Sequence, residues 1–127
     1  MKTINHILVV MDPKSDHQPA LVQAIKIAKK LSATIELFVV AYNSDFISHW
    51  NFNKEQLAGL QKEYVSSKLR WLETYVTEAE MQGVHTKLDV LWHPDFSSAV
   101  VAKVASNNVS LVIKSTKQYS TIKKIFF

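Results

Sequence analysis

Asp12 and Pro13 close an apolar run, Ile7-Leu8-Val9-Val10-Met11, and so place a carboxylate where the chain leaves a strand. Such a carboxylate can cap a helix, close a turn, or meet a ligand. Asp16 and His17 follow closely, yet the same residue types serve as ordinary turn and cap residues. The five histidines, His6, His17, His49, His85 and His93, fall on separate elements, and none pairs with another at metal-ligand spacing on one helix. No metal site is expected. Lys114 and Lys117 could meet a phosphate as point charges, which need little geometry. No serine occupies a Gly-x-Ser-x-Gly elbow and no Ser/His/acid set can be assigned, so hydrolytic chemistry is not expected and the chain is read as a non-enzyme.

Glycine gives the sharpest exclusion. A backbone cradle for phosphate needs several positions without side chains, and the 127 residues contain only two glycines, Gly59 and Gly83. Neither a P-loop nor a dinucleotide-binding Gly-x-Gly-x-x-Gly can be built from them. The absence of cysteine excludes a disulfide framework, a cysteine zinc site, an iron–sulfur cluster and a thiol nucleophile. No stretch approaches the roughly 18 apolar residues of a membrane span, and the N-terminus lacks the features of a signal peptide. A cytoplasmic location away from membranes is expected. The net charge of +4 comes from 15 Lys+Arg against 11 Asp+Glu. Its lysines are spread over helix faces without an aromatic platform, so nucleic acid is not an expected partner.

These residues must be positioned by a series of short apolar runs separated by amphipathic segments. Residues 7–11 read as a strand buried on both faces. The following helix carries Pro19 in its first turn and a stripe of Ala20, Leu21, Ala24, Ile27, Ala28 and Leu31. Ile35 to Tyr42 reads as a second strand, interrupted only by Glu36. An aromatic loop at 43–52 follows. Asn53 and Gln56 resemble a capping pair for one long helix ended by Gly83, with Val65, Leu69, Leu72, Val76 and Ala79 as its stripe. Trp71 and Tyr75 share a face beside that stripe, suited to core packing or to docking a second domain.

In Thr86 to Trp92, Leu88, Val90 and Trp92 alternate with Lys87, Asp89 and Leu91, which predicts one wet face and an edge position. Asp95 then caps a helix bearing Phe96, Val100 and Val104, and Val109 to Ile113 forms the fourth strand. The order βαβαβαβ implies right-handed crossovers and an open parallel α/β sheet with helices on both faces. The apolar end at Ile125, Phe126 and Phe127 implies a longer gene product, or a second chain over the fourth strand.

The strand ILVVMD, the second strand LFVVAY, the long helix closed by Gly83 and the segment VSLVIKST together resemble the universal stress protein family over essentially the whole chain. ILVVMDPKSDHQPAL, Trp92-His93 and LVIKSTKQYSTIKKIFF resemble the first domain of its tandem-domain E-type branch. The resemblance implies an adenine-nucleotide alpha-hydrolase-like fold with strand order 3-2-1-4-5. Residues 1–127 would then be a single domain truncated before its last strand, the fifth strand being missing from this chain.

ATP-binding members hold phosphate on Gly-x2-Gly-x9-Gly-Ser/Thr after the fourth strand. Aligned on Thr116, this chain has Ser115 and Gln118 at the first two glycine positions, and the third falls past Phe127. In an open sheet the ligand crevice lies beyond the strands' carboxyl ends, where the strand order reverses. That brings Asp12 and Pro13 opposite Lys114, Ser115 and Gln118, with Val40 and Ala41 nearby. The resemblance implies a base on Val40 and ribose at Asp12. With side chains in the phosphate loop, the expected protein is a stress-response domain with no strongly bound cofactor. It would work by pairing with a second universal stress protein domain or a homodimer partner. The rival readings are an ATP-binding member with slow or no hydrolysis, and a small-ligand sensor.

Overall fold

A computed structural model describes residues 4–42, 53–115 and 122–126. Strand β1 (His6–Val10) leads through α1 (Pro19–Leu31) to β2 (Thr34–Ala41), and α2 (Lys54–Met81) carries the chain to β3 (Thr86–Trp92). Helix α3 (Phe96–Ser106) returns it to β4 (Leu111–Ser115), and β5 (Ile122–Phe126) follows. The sheet order is β3-β2-β1-β4-β5. Its first four strands are parallel, with Val10 paired to Phe38 on one side and to Lys114 on the other.

Two expectations about the last strands are corrected. Residues 122–126 supply a fifth strand, and it runs antiparallel to β4, pairing Val112 with Phe126 and Lys114 with Lys124. The apolar end of the sequence therefore meets the edge of β4, whose backbone groups otherwise lacked a partner. Strand β4 also runs further than predicted. Lys114 and Ser115 lie inside it, with a register irregularity between them, rather than in a loop beyond it.

Local chemistry explains the helices. Pro19 occupies the first turn of α1, where a missing N–H costs nothing, and Lys29 and Lys30 sit at the negative end of the helix dipole. Ser32 ends α1 in a left-handed conformation, its N–H donating to the Ala28 carbonyl. Asn53 and Gln56 form a reciprocal capping box on α2, and Gly83 at φ +83° follows the other end, where a side chain would be strained. The predicted α1 stripe is displaced, since Ile25 is buried while Leu31 is about half exposed.

Strand alternation sends Ile7, Val9, Ile35, Leu37, Val39, Leu111 and Ile113 to one face, where α1 and α2 cover them. Leu8, Val10, Phe38 and Val112 face the other way, against Val100 and Val104 of α3. The reversal after β3 requires this division, because right-handed crossovers in opposite directions pass on opposite faces. Leu88, Val90 and Trp92 pack at the rim of the larger cluster while Lys87 is exposed, as the edge reading of β3 predicts.

Candidate functional site

At the carboxyl ends of the strands, the chain leaves β1 between β2 and β4, so Asp12 and Pro13 emerge between the ends that carry Val40–Ala41 and Lys114–Ser115. Ala41 is buried in the larger cluster and Val40 packs against the smaller one. The Ala41 carbonyl accepts the His93 amide at 3.0 Å, and His93 Nδ1 accepts the Asp95 amide at 2.9 Å. His93 is thus tied down through both its backbone amide and its ring. Gln118 and the aromatic loop at 43–52 lie outside the described residues.

Asp12 is engaged by its own loop. Its Oδ1 accepts the Lys14 amide at 3.0 Å, its carbonyl accepts the Ser15 amide at 3.3 Å, and its amide donates to Gln18 Oε1 at 3.1 Å. The His17 amide donates to Ser15 Oγ at 3.0 Å. Pro13 has no amide, so the loop is largely self-satisfied. Lys114 is likewise placed, its ammonium 4.8 Å from the centre of the Phe96 ring, within cation–π reach. Phe96 is 42% exposed, so it caps the rim of α3 rather than joining the predicted buried stripe. The backbone of Ser115 is in register with Ile122 of β5.

A second polar group, which the sequence reading passes over, lies under α3 on the sheet face of the smaller cluster. Lys103 donates to Asp89 Oδ2 at 2.8 Å and lies 2.6 Å from Glu36 Oε2. The other oxygen of Glu36 is 2.9 Å from His6 Nε2, and His6 Nδ1 is 3.0 Å from the Asn107 carbonyl oxygen. The Lys103 and Glu36 side chains are 10% and 6% exposed, so these charges are held away from water. Burial pulls the Lys103 pKa down, but hydrogen bonds and attraction from Asp89 and Glu36 outweigh it and leave the ammonium above its ordinary range. The only sequence mark of this chain of charges is Glu36 itself, a lone carboxylate in an apolar strand. Among the described residues no group of three or more acidic, histidine or cysteine side chains could hold a metal ion. No described helix is long and apolar enough to cross a membrane.

The family model described as "Universal stress protein family" matches residues 3–127. The chain belongs to this family. Universal stress protein E of Photorhabdus laumondii is 25% identical over 127 residues, and its Escherichia coli K12 counterpart 24%. Each match spans the whole of this chain but only 40% of the longer relative. Among solved structures, a universal stress protein from Burkholderia pseudomallei superposes with a TM-score of 0.72 at 17% identity, over 93% of this chain and 86% of that one. UspA from Lactobacillus plantarum gives 0.68 at 14% identity, over 95% and 87%. A universal stress protein from Archaeoglobus fulgidus, solved in complex with dAMP, gives 0.53 at 17% identity, over 89% and 82%. These likenesses establish the universal stress protein fold for the parallel four-stranded sheet and its helices.

Proposed function

We propose that this universal stress protein domain is a non-enzymatic stress-response module of the E-like type, acting through pairing with a second such domain and through partner proteins. On this reading its crevice does not hold ATP strongly. The observation that carries it is the donor balance at the strand ends: the Asp12, Lys14, Ser15 and His17 amides donate within their own loop, and Lys114 and Ser115 belong to a strand. A triphosphate needs convergent N–H donors, and lysine charges alone hold it weakly at physiological salt. The relatives' greater length supports the pairing, because this chain accounts for 40% of each.

The dAMP complex of the Archaeoglobus protein supports a second reading, an ATP-binding domain with slow or no hydrolysis. Calorimetric titration with ATP separates the two. Our reading expects no saturable heat below about 1 mM, a binding free energy weaker than roughly 4 kcal/mol. Micromolar binding would overturn it in favour of the nucleotide reading.

A further inference from the structure

The outward face of α2 carries its charges in two blocks. Lys62, Ser66, Arg70, Glu73, Thr77 and Glu80 follow one another at spacings of four and three, so they share one side of the helix. The charged members and Thr77 are exposed and Ser66 is half-buried, while Leu72 and Ala79 point away from them into the larger core cluster. The cations come first along this face and the anions last. Ion pairs among the described residues join His6, Glu36, Lys103 and Asp89, so the charges of this face do not neutralise one another.

The surface relief follows the same division. Lys62, Glu63, Ser66, Ser67 and Arg70 line an open hollow in the first block, where short serines lie between longer side chains. Past the second block stands Met81, 83% exposed. One exposed apolar side chain needs no explanation by itself, but this one is spaced to meet that hollow in a second copy.

We infer that two copies of this chain pair through α2, antiparallel about a two-fold axis, with Lys62 and Arg70 of each copy facing Glu80 and Glu73 of the other. The inference rests on the pairing reading above and gives that pairing a surface. Only an occupant with the inverse order of charge satisfies both blocks, and an antiparallel copy has it by symmetry. A nucleic acid or an anionic membrane would match the cations alone.

One centre, midway between Trp71 and Leu72, sets the whole register. Arg70 precedes it by as much as Glu73 follows it, Ser66 matches Thr77, and Lys62 matches Met81, with Glu80 one residue away. Short side chains thus meet between the ionic layers, and Met81 of one copy enters the hollow beside Lys62 of the other. A two-fold also sets each flank of the helix beside the same flank of its copy. Lys62 and Glu80 are 18 residues apart, a whole number of turns, and therefore share a flank. The remaining charges of α2 lie elsewhere. Glu63 is turned about 100° from that flank, and Lys54 and Glu55 fall beyond the other copy's Met81. Lys68 sits over the Tyr64 ring, and Glu78 lies beside Tyr75 at the rim of the core.

The test is sedimentation equilibrium of the chain, Lys62→Glu and Glu80→Lys, between about 10 μM and 1 mM at low salt. One helix pair buries less than a standard interface, so the parent should dimerise with a Kd of about 0.1 mM. Each variant alone sets like charges together in two symmetric places and should weaken the dimer about tenfold. Mixing the two variants restores both pairs in the heterodimer, and so does combining them in one chain; each should return association to within about threefold of the parent. Recovery on mixing cannot come from a variant that has failed to fold.

A chain that stays monomeric at about 1 mM overturns the inference together with pairing between copies. A dimer that both variants leave intact overturns the inference alone and moves the pairing to another face. Loss in each variant without recovery in the mixture overturns the antiparallel register and the inference with it.

Discussion

The Tyr75 hydroxyl donates to the Asp16 carbonyl at 3.3 Å, and its ring meets Trp71 edge-on at 5.1 Å. Both rings pack against the larger core cluster, so this pair fastens the middle of α2 to the loop that carries Asp12. Partial burial, then the nearby Asp16 and Glu78 carboxylates, raise the Tyr75 pKa against a smaller opposing contribution from the hydrogen bond with Trp71. The fold thus favours the neutral phenol. Its contribution to stability is complete below the unfolded value of about 10 and is lost as pH rises through the higher folded value. In the difference titration between the chain and Tyr75→Phe, the phenolate should appear above the pH of free tyrosine, and Asp16→Asn should bring it down. A Tyr75 that ionises with free tyrosine would contradict this account of the contact.

The 28-residue α2 has a narrow buried stripe, with Leu72 and Ala79 its fully buried members, so its exposed first turn depends on local capping more than on packing. The Asn53 side chain accepts the Gln56 amide at 2.8 Å, and Gln56 Oε1 accepts the Asn53 amide at 2.9 Å. Asn53→Ala should cost about 1 kcal/mol in chemical denaturation and raise amide exchange at the start of α2, while Asn53→Asp should retain most of the stability. Equal exchange in Asn53→Ala and the parent would show that packing alone holds this turn. That capping pair is legible in the sequence because its members are three residues apart, and the buried strands and the edge character of β3 are legible because their patterns are local too. The chain of charges is not, because Glu36 and Lys103 meet only after two crossovers have formed. Gln18 escapes for a different reason: at an N-cap position its local reading is capping, and only the structure shows the carboxamide turned into the loop. Strand β5 is missed because the family resemblance supplies a fifth strand from beyond the chain, whereas residues 122–126 pair here with β4.

Across the whole molecule the sheet divides two unequal cores, and the division sets where the fold can open. Two helices seal the larger cluster, while among the described residues α3 is the one helix packed on the smaller cluster, and Ala99 is its one fully buried residue. Val100 and Val104 dock α3 with partly buried apolar area, and Lys103 supplies the specific link to β2 and β3. A buried ion pair gives little net stability against an apolar replacement, but removing one partner strands the other and costs roughly 3–5 kcal/mol. Native-state hydrogen exchange should show α3 opening at a lower free energy than β1 and β2. Lys103→Met should lower the α3 value by about 3 kcal/mol, roughly a hundredfold in the open population, and leave α1 nearly unchanged. Adding Glu36→Gln to Lys103→Met should recover part of that loss, because the buried side chain left with His6 as its partner is then neutral. If α3 instead exchanges together with β1 in the parent, and Lys103→Met destabilises every element equally, the two faces form one cooperative unit and α3 has no separate opening.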